Sequence, residues 1–124
     1  MTDTVGARFA RAVATKDGAS LREVLAPDVD FRGLTPGRAW EAVGAAALVD
    51  DILLGEWFAP TDEIRALEWV DDGEVADRRR VTYRMQVVNG DGAHVVEQTA
   101  YYEEVDGRIS WMRVVCSGFR PVTG

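Results

Sequence analysis

The chain has 124 residues, of which 47% are hydrophobic and 28% are charged, so it is neither a disordered chain nor a collagen or coiled coil. We expect one domain over residues 1–124. Its 14 basic and 21 acidic residues give a formal net charge of −7, which disfavours binding to nucleic acid or to an anionic membrane.

A single cysteine and a single histidine exclude an internal disulfide and argue against a histidine-rich metal site, so we expect no metal and no other cofactor. Residues 1–14 lack the basic-flanked apolar run of a signal peptide or membrane span. The expected location is the cytoplasm.

The N-terminal half predicts three helices. Apolar residues recur every four positions over residues 4–16 and predict the first helix. Ser20 and Glu23 form a capping box, which predicts a short second helix that stops at Pro27. Two overlapping four-residue apolar rows predict a third helix over residues 45–57.

The segment between the second and third helices predicts a strand followed by a turn. Apolar and polar residues alternate over residues 29–32, which is typical of a short strand. Thr35 and Pro36 suit an N-cap and a first helical position, so we expect a single helical turn through Trp40.

Three turn signals divide the C-terminal half into four strands. They are Asp72-Gly73, the cluster at residues 89–92, and Asp106-Gly107. The predicted strands cover residues 64–71, 75–88, 93–105 and 109–119. Long strands in a small sheet twist and curl, so we expect an α+β fold in which a cone-shaped, curved antiparallel sheet packs on three N-terminal helices.

A tight turn centred on Gly90-Asp91 would fix the pairing of the central hairpin. The predicted helix-facing pairs are Val81 with Ala100, Tyr83 with Gln98, Met85 with Val96, and Val87 with His94. The predicted outward pairs are Arg78 with Glu103, Thr82 with Thr99, and Arg84 with Glu97.

The last hairpin allows two registers, because Asp106-Gly107 suits either a two-residue turn or a three-residue loop. We favour the three-residue loop. This register turns residues 112, 114 and 116 toward the helices, and it leaves Ile109, Trp111 and Arg113 outside. Trp111 would then form an apolar outer patch with Tyr101, which predicts a homodimer through the sheet.

This order of elements resembles the nuclear transport factor 2-like superfamily, and more narrowly its SnoaL-like branch. The segments that carry the resemblance are residues 25–37 (LAPDVDFRGLTPG), 81–84 (VTYR), Tyr101-Tyr102 and 106–109 (DGRI). The resemblance implies a conical fold of the cystatin-like type, which hosts isomerases, dehydratases, cyclases, epoxide hydrolases and non-enzymatic binding proteins.

The acid–base residues that such enzymes use are not found at the matching positions. The nearest counterparts of the isomerase base are Arg32 and Gly33, and the first-helix core positions hold Phe9 and Val13. The strands after residue 74 contain no Arg-x-Asp of the limonene epoxide hydrolase type. One histidine is too few for the scytalone dehydratase type. The aspartate base of SnoaL-like cyclases has no counterpart in the central strands beyond Asp77, which offer only glutamates.

The helix-facing side of the predicted sheet collects residues that suit either an apolar pocket or a filled core. The candidate ligand-binding residues are Phe31, Trp40, Trp57, Phe58, Tyr83, Gln98, Tyr102, Met112, Val114 and Cys116. Tyr83 and Gln98 face each other and would hydrogen-bond to one another or orient a ligand carbonyl. We interpret Cys116 as a small hydrophobic residue, since no histidine or lysine is placed to activate it.

Three functions therefore stay open. The first is a dimeric protein that binds an apolar or polycyclic small molecule. The second is a cofactor-free polyketide cyclase, isomerase or dehydratase that uses Asp30, His94 or Glu104 as its acid or base. The third is an assembly module with a filled interior.

Overall fold

The computed structural model describes residues 4–122. Two α-helices come first, α1 (Val5–Ala14) and α2 (Gly18–Val24). Thr4 caps α1, because its side-chain oxygen accepts a hydrogen bond from the Ala7 amide at 3.0 Å. Both helices pack their apolar faces on the sheet and form one wall of the core.

The second helix begins earlier than the capping box predicted. Its N-cap is Asp17, whose carboxylate accepts hydrogen bonds from the Ser20 hydroxyl at 2.7 Å and the Ser20 amide at 3.1 Å. These hydrogen bonds stabilise the charged carboxylate and hold the pKa of Asp17 below its ordinary value. Ser20 thus lies inside the helix and supports the cap instead of forming it.

A β-hairpin replaces the predicted short strand and helical turn. Its strands are β1 (Leu25–Thr35) and β2 (Arg38–Val43), which run antiparallel. Pro36 and Gly37 occupy the turn, and Gly37 has a φ of 79°. Proline followed by glycine at positive φ is the pattern of a type II turn, so the Thr-Pro pair starts a β-turn and not a helix. The helical turn through Trp40 was a wrong prediction, since Trp40 lies on β2.

The third helix covers the predicted residues but winds differently. Ala45–Ala47 (α3) is α-helical, and Leu48–Trp57 continues it as a π-helix. Gly55 permits this wider winding, because a Cβ there would lie 2.5 Å from the Asp50 carbonyl oxygen. At its end the Phe58 amide donates to the Leu53 carbonyl oxygen at 3.1 Å, which is the i→i+5 hydrogen bond of a π-helix.

The sheet has seven strands and curls around the helices without closing into a barrel. The remaining strands are β3 (Glu63–Val75), β4 (Arg78–Asn89), β5 (Gly92–Val105), β6 (Arg108–Cys116) and β7 (Arg120–Pro121). Its main order is β2-β1-β6-β5-β4-β3, and β7 pairs with β5. Strands β1 and β6 are parallel, so the α+β fold is confirmed with a mixed sheet in place of a purely antiparallel one.

The turn predicted at Asp72-Gly73 lies inside β3. Gly73 pairs with Arg80, and a Cβ on Gly73 would overlap the Arg80 guanidinium. This glycine therefore makes room for a neighbouring side chain and does not turn the chain. The turn comes later, at Ala76-Asp77, where Ala76 has a φ of 54°.

The register predicted for the central hairpin is confirmed. Asn89 pairs with Gly92, and Tyr83 pairs with Gln98 on the helix-facing side. On the outer face the predicted contacts are Arg84–Glu97 at 3.3 Å, Arg78–Glu103 at 2.8 Å and Thr82–Thr99 at 3.1 Å. These complementary pairs match the two strands to one register.

The last hairpin combines the two registers that the sequence allowed. Its turn is the two-residue form, with Asp106 and Gly107 at φ values of 54° and 78°. An irregularity at Ser110 then shifts the pairing by one residue. The shift restores the predicted inward direction of residues 112, 114 and 116. Ile109, however, lies before the shift and is buried, contrary to the prediction.

The core lies between the helices and the concave face of the sheet. Its largest fully buried side chains are Tyr83, Tyr102, Phe9, Phe31, Phe58, Leu21, Leu25, Leu48, Leu53, Met85, Ile109 and Met112. Within residues 4–122, no helix is both long and apolar enough to cross a membrane.

Candidate functional site

A cavity of about 260 Å³ opens on the concave side of the sheet. We call this region the cavity end. Its walls come from β2, the end of the π-helix, β5, β6 and the segment before β7. The lining residues are Thr35, Trp40, Glu56, Trp57, Phe58, Asp62, Gln98, Cys116, Gly118 and Phe119. Four of the ten lining residues are aromatic, which suits a ring compound.

Gln98 brings a buried amide to this wall. The Tyr83 hydroxyl donates a hydrogen bond to Gln98 Oε1 at 2.6 Å, which confirms that these two side chains bond to each other. The other amide atom, Nε2, has no hydrogen-bond partner although Gln98 is only 1% exposed. Burial, and to a lesser degree the nearby Cys116, raises the pKa of the Tyr83 phenol far above its ordinary value, so the hydroxyl keeps its proton and donates it.

Trp57 presents a second unpartnered donor. Its indole Nε1 has no hydrogen-bond partner, although the residue is only 6% exposed. The neighbouring Trp40 differs, because its indole nitrogen donates to Thr35 Oγ1 at 2.8 Å. A buried N–H without an acceptor is costly and rare in folded proteins, so these two unpartnered donors are unusual for a filled core.

Trp57 is held in place by its neighbours. Its ring packs edge-on against Phe31, with centroids 5.6 Å apart, and against Trp40, with centroids 6.2 Å apart. A Cβ on Gly33 would lie 2.7 Å from the Trp57 ring, so the glycine of β1 makes room for the indole. These contacts fix the position of the indole in the aromatic wall.

The C-terminal segment closes one side of the cavity. Phe119 stacks on Phe58, with centroids 5.9 Å apart, and it also packs against His94 at 5.8 Å. Strand β7 attaches this segment through two residue pairs, His94 with Pro121 and Val95 with Arg120. His94 is 7% exposed and its Nδ1 has no hydrogen-bond partner, so Phe119 lies between this imidazole and the cavity wall at Phe58.

Two carboxylates line the cavity. Asp62 is buried, and both of its oxygens are engaged, since Oδ2 accepts from the Ala59 amide at 3.0 Å and Oδ1 accepts from Asn89 Nδ2 at 3.0 Å. Glu56 is exposed on the last turn of the π-helix. Asp62 therefore closes a local turn, and Glu56 adds negative charge at the rim.

The other two acid–base candidates lie away from this cavity. Asp30 is on the outer face of β1, where it forms an ion pair with Arg113 at 3.2 Å. Glu104 is exposed and forms an ion pair with Arg79 at 3.2 Å. The structure therefore brings none of Asp30, His94 and Glu104 into the cavity lining.

The ten predicted pocket residues divide into two groups. Five of them line the cavity, namely Trp40, Trp57, Phe58, Gln98 and Cys116. The other five belong to the packed core behind it, namely Phe31, Tyr83, Tyr102, Met112 and Val114. Residues from loops and strand ends were missed, and these are Thr35, Glu56, Asp62, Gly118 and Phe119. The sequence offered one signal for Phe119, namely its position as an aromatic residue directly after Ser117-Gly118.

Other depressions lie outside the cone, and two of them, both larger than this cavity, border apolar or charged surface. A groove of about 420 Å³ follows the outer face near Leu34, Tyr101 and Val115. The largest, about 750 Å³, lies on the surface between α1 and the start of β3 and is bordered by charged side chains such as Lys16 and Arg65. Its size comes from open surface, so we consider the smaller aromatic cavity the better site.

A metal centre finds no support in the described part of the chain. Residues 4–122 contain no group of three or more His, Cys, Asp or Glu side chains that could hold a metal ion. The polar groups at the cavity are amide, indole, hydroxyl and carboxylate groups that are spread along its wall.

Comparison with protein-family models and with curated proteins finds no match. Several solved structures are similar. A candidate isomerase from Bacillus subtilis has a TM-score of 0.74 at 17% identity, covering 91% of this chain and 84% of its own. A candidate polyketide cyclase from Pseudomonas putida has a TM-score of 0.68 at 16% identity, covering 91% of each chain. An NTF2-like protein of unknown function from Burkholderia pseudomallei has a TM-score of 0.65 at 18% identity, covering 89% of this chain and 86% of its own.

These similarities concern the fold. The fold is that of NTF2-like proteins, which include SnoaL-like polyketide cyclases, as the sequence predicted. Because one fold hosts unrelated functions, the function has to be argued from the cavity itself.

Proposed function

We propose that this chain is a small-molecule-binding domain with a mainly apolar pocket, and that the pocket is the cavity between Trp57, Phe58 and Gln98. The observation that carries the proposal is the aromatic wall with its two unpartnered donors. A filled assembly module would have no reason to keep a buried indole and a buried amide unpartnered, since each costs free energy.

Filling the cavity tests the proposal. ¹⁵N-labelled protein is titrated with 1-tetralone, a bicyclic ketone, and binding is followed by the shifts of the Trp57 and Gln98 side-chain N–H signals. We expect Cys116→Leu, which adds bulk at the cavity wall, to weaken binding at least tenfold. The matched control is Val115→Leu, the next residue on β6, whose side chain lies on the outer face. Equal weakening by both variants, or shifts confined to the outer face, would contradict the proposal.

The second candidate is a cofactor-free polyketide cyclase, isomerase or dehydratase-type enzyme. The names of the similar proteins, a candidate isomerase and a candidate polyketide cyclase, favour it, as does the Asp62 carboxylate on the cavity wall. Asp30, His94 and Glu104 stay its proposed acid–base residues, although none lines the cavity. If the enzyme hypothesis holds, Asp30→Asn, His94→Gln or Glu104→Gln abolishes turnover of a polycyclic ketone, whereas simple binding predicts no turnover in any variant.

We also propose that two copies pair through the outer face of the sheet. Leu34 and Val115 are adjacent on β1 and β6, and they are 54% and 53% exposed. An exposed apolar patch of this kind often marks a partner surface, and two-fold pairing would cover it with its own copy. Sedimentation at micromolar concentration should give a dimer that Val115→Asp converts to a monomer. A monomeric wild-type protein would contradict this. The cytoplasmic location stays a prediction.

A further inference from the structure

The chain that follows β6 crosses one side of the cavity. We call residues 118–122, which include β7, the strap. We propose that Phe119 on the strap is an internal plug, which occupies part of the ligand site and moves away when a ligand binds. This inference rests on the proposed binding function and adds to it a step that controls access to the cavity.

Phe119 holds the place of a ring inside the aromatic wall. Its ring lies nearly parallel to that of Phe58, with centroids 5.9 Å apart and 22° between the ring planes. Phe58 is 1% exposed, whereas Phe119 is half-buried. A stacked pair of this kind is also an arrangement that an aromatic ligand would form with Phe58. Phe119 therefore makes the contact that a bound ring would make in its place.

The cavity is small for a ligand site while Phe119 is in position. Its volume is about 260 Å³, whereas small-molecule sites usually measure roughly 300–1,000 Å³. Gly118 and Phe119 are both lining residues, so the strap forms one side of this space. When the strap moves away, the space open to a ligand grows by the volume of the Phe119 ring.

The strap is held by few contacts. It pairs with β5 at two positions, and the Val122 amide donates a further hydrogen bond to the Ala93 carbonyl oxygen at 3.0 Å. Residues 120–122 are exposed, which leaves Phe119 as the side chain through which the strap packs against the core. A segment with few buried apolar contacts opens at a lower free energy than the whole fold unfolds. The strap is therefore suited to local opening.

The strap joins β6 through a fixed serine followed by a glycine. The Ser117 amide donates to the Glu97 carbonyl oxygen, and the Glu97 amide donates to Ser117 Oγ, each at 2.9 Å. Gly118 has a φ of 75°, a conformation that favours glycine. The strap can therefore pivot at Gly118 while Ser117 keeps the end of β6 in place.

The single cysteine reports the opening of the strap without any ligand. Cys116 is buried on the cavity wall, and the Gly118 amide donates to its Sγ at 3.4 Å. Phe119→Ala removes the plug and should raise the rate of Cys116 alkylation by N-ethylmaleimide at least tenfold. The matched control Val122→Ala truncates an exposed side chain of the same strap and should leave the rate unchanged. Urea below the unfolding transition should barely alter the rate, because local opening exposes little surface.

The affinity for 1-tetralone distinguishes a plug from an ordinary wall residue. A plug competes with the ligand, so Phe119→Ala should bind 1-tetralone at least fivefold more tightly than the wild-type protein. A wall residue contacts the ligand, so its truncation would weaken binding. The dissociation constants come from NMR titration.

Gly118→Ala is a second variant that keeps the Phe119 ring and loosens the strap. Its Cβ would lie 2.8 Å from Pro36 Cγ, and alanine is strained at a φ of 75°. Faster alkylation and tighter binding are expected here as well, so the test holds if Phe119→Ala does not fold.

The outcomes separate the plug from the binding function. An unchanged alkylation rate in the folded variants, an equal rise in Val122→Ala, or unchanged or weaker binding of 1-tetralone overturns the plug while the cavity still binds. If 1-tetralone binds neither the wild-type protein nor the loosened variants, the proposed function fails together with this inference. Faster alkylation combined with tighter binding supports both.

Discussion

We call the part of the concave face around Gly6, Phe9 and Tyr102 the filled end. It differs from the cavity end in whether its buried polar groups have hydrogen-bond partners. At the filled end, the Tyr102 hydroxyl oxygen accepts a hydrogen bond from the Gly6 amide at 3.2 Å, and a Cβ on Gly6 would lie 2.5 Å from that oxygen. At the cavity end, Trp57 and Gln98 are lining residues, yet Trp57 Nε1 and Gln98 Nε2 are buried without a hydrogen-bond partner. The comparison indicates that the filled end supplies stability, and the binding we propose belongs to the cavity end.

Truncating the filled end should have the largest effect on stability. Phe9 is fully buried, and its ring packs edge-on against Tyr83 at 6.4 Å. Phe9→Ala should lower the free energy of unfolding by about 3–5 kcal/mol, because it removes a large apolar group and leaves a cavity. Urea denaturation measures this. Where the variant is folded, its affinity for 1-tetralone should be unchanged, and a large loss of affinity would show that the two ends are not separable.

The Tyr83–Gln98 pair connects the two ends and should give the next largest effect. Tyr83→Phe leaves Gln98 Oε1 buried without a donor and should cost about 1–3 kcal/mol of unfolding free energy. The double variant Tyr83→Phe/Gln98→Met replaces both partners with apolar groups and should recover most of this loss. Denaturant titration of the two single variants and the double variant forms a complete cycle. Strictly additive losses would contradict the direct coupling.

Alkaline pH provides a smaller, graded effect. Burial raises the pKa of Tyr83 above its ordinary value of 10.0, so the folded protein holds this proton more tightly than the unfolded chain does. The stabilisation is complete below pH 10.0 and is lost as the pH rises above it, by about 1.4 kcal/mol per pH unit. Denaturation at a series of pH values should show a shallower decline for Tyr83→Phe. The decline that remains in Tyr83→Phe includes a contribution from Tyr102, because burial also raises the pKa of that phenol. Identical slopes would count against a buried neutral phenol.

The outer face should give the smallest effect. The Arg78–Glu103 ion pair at 2.8 Å is partly exposed, and Arg78 also stacks on Trp111 at 3.9 Å. Arg78→Gln should cost less than about 1 kcal/mol, because exposed ion pairs are screened by water and salt. Thermal unfolding at low and high salt checks this, and a loss as large as that of Tyr83→Phe would overturn the distinction between the faces.

Much of the sheet was predictable because the register depends on local chemistry. The alternation of apolar residues with charged pairs around Gly90-Asp91 fixed which side of β4 and β5 faces the helices. Turn positions were harder. Gly73 looked like a turn residue, but it makes room for Arg80, a contact that only the folded sheet reveals. The Thr35-Pro36 pair fits a helix start and a β-turn equally well. Gly37 favours the β-turn, because glycine after proline is the pattern of a type II turn.

The types of residue at the site were predictable from the sequence. Which of these residues line the cavity and which fill the core was not. The inward direction of Gln98 and Cys116 follows from strand alternation. Phe119 joins the wall because the chain after β6 folds back onto β5, and this return is not encoded in any local pattern. The division between filled core and open cavity depends on how side-chain volumes meet across elements, so Met112 and Tyr102 could not be separated from Trp57 by sequence alone.

The most direct test of the account is whether a bound ketone contacts Trp57 and Gln98 at the cavity wall. Intermolecular NOEs between 1-tetralone and the protein report such contacts. The account predicts NOEs to the Trp57 indole proton and the Gln98 side-chain amide protons. NOEs confined to outer-face residues such as Trp69 and Trp111, with the cavity signals unmoved, would contradict it.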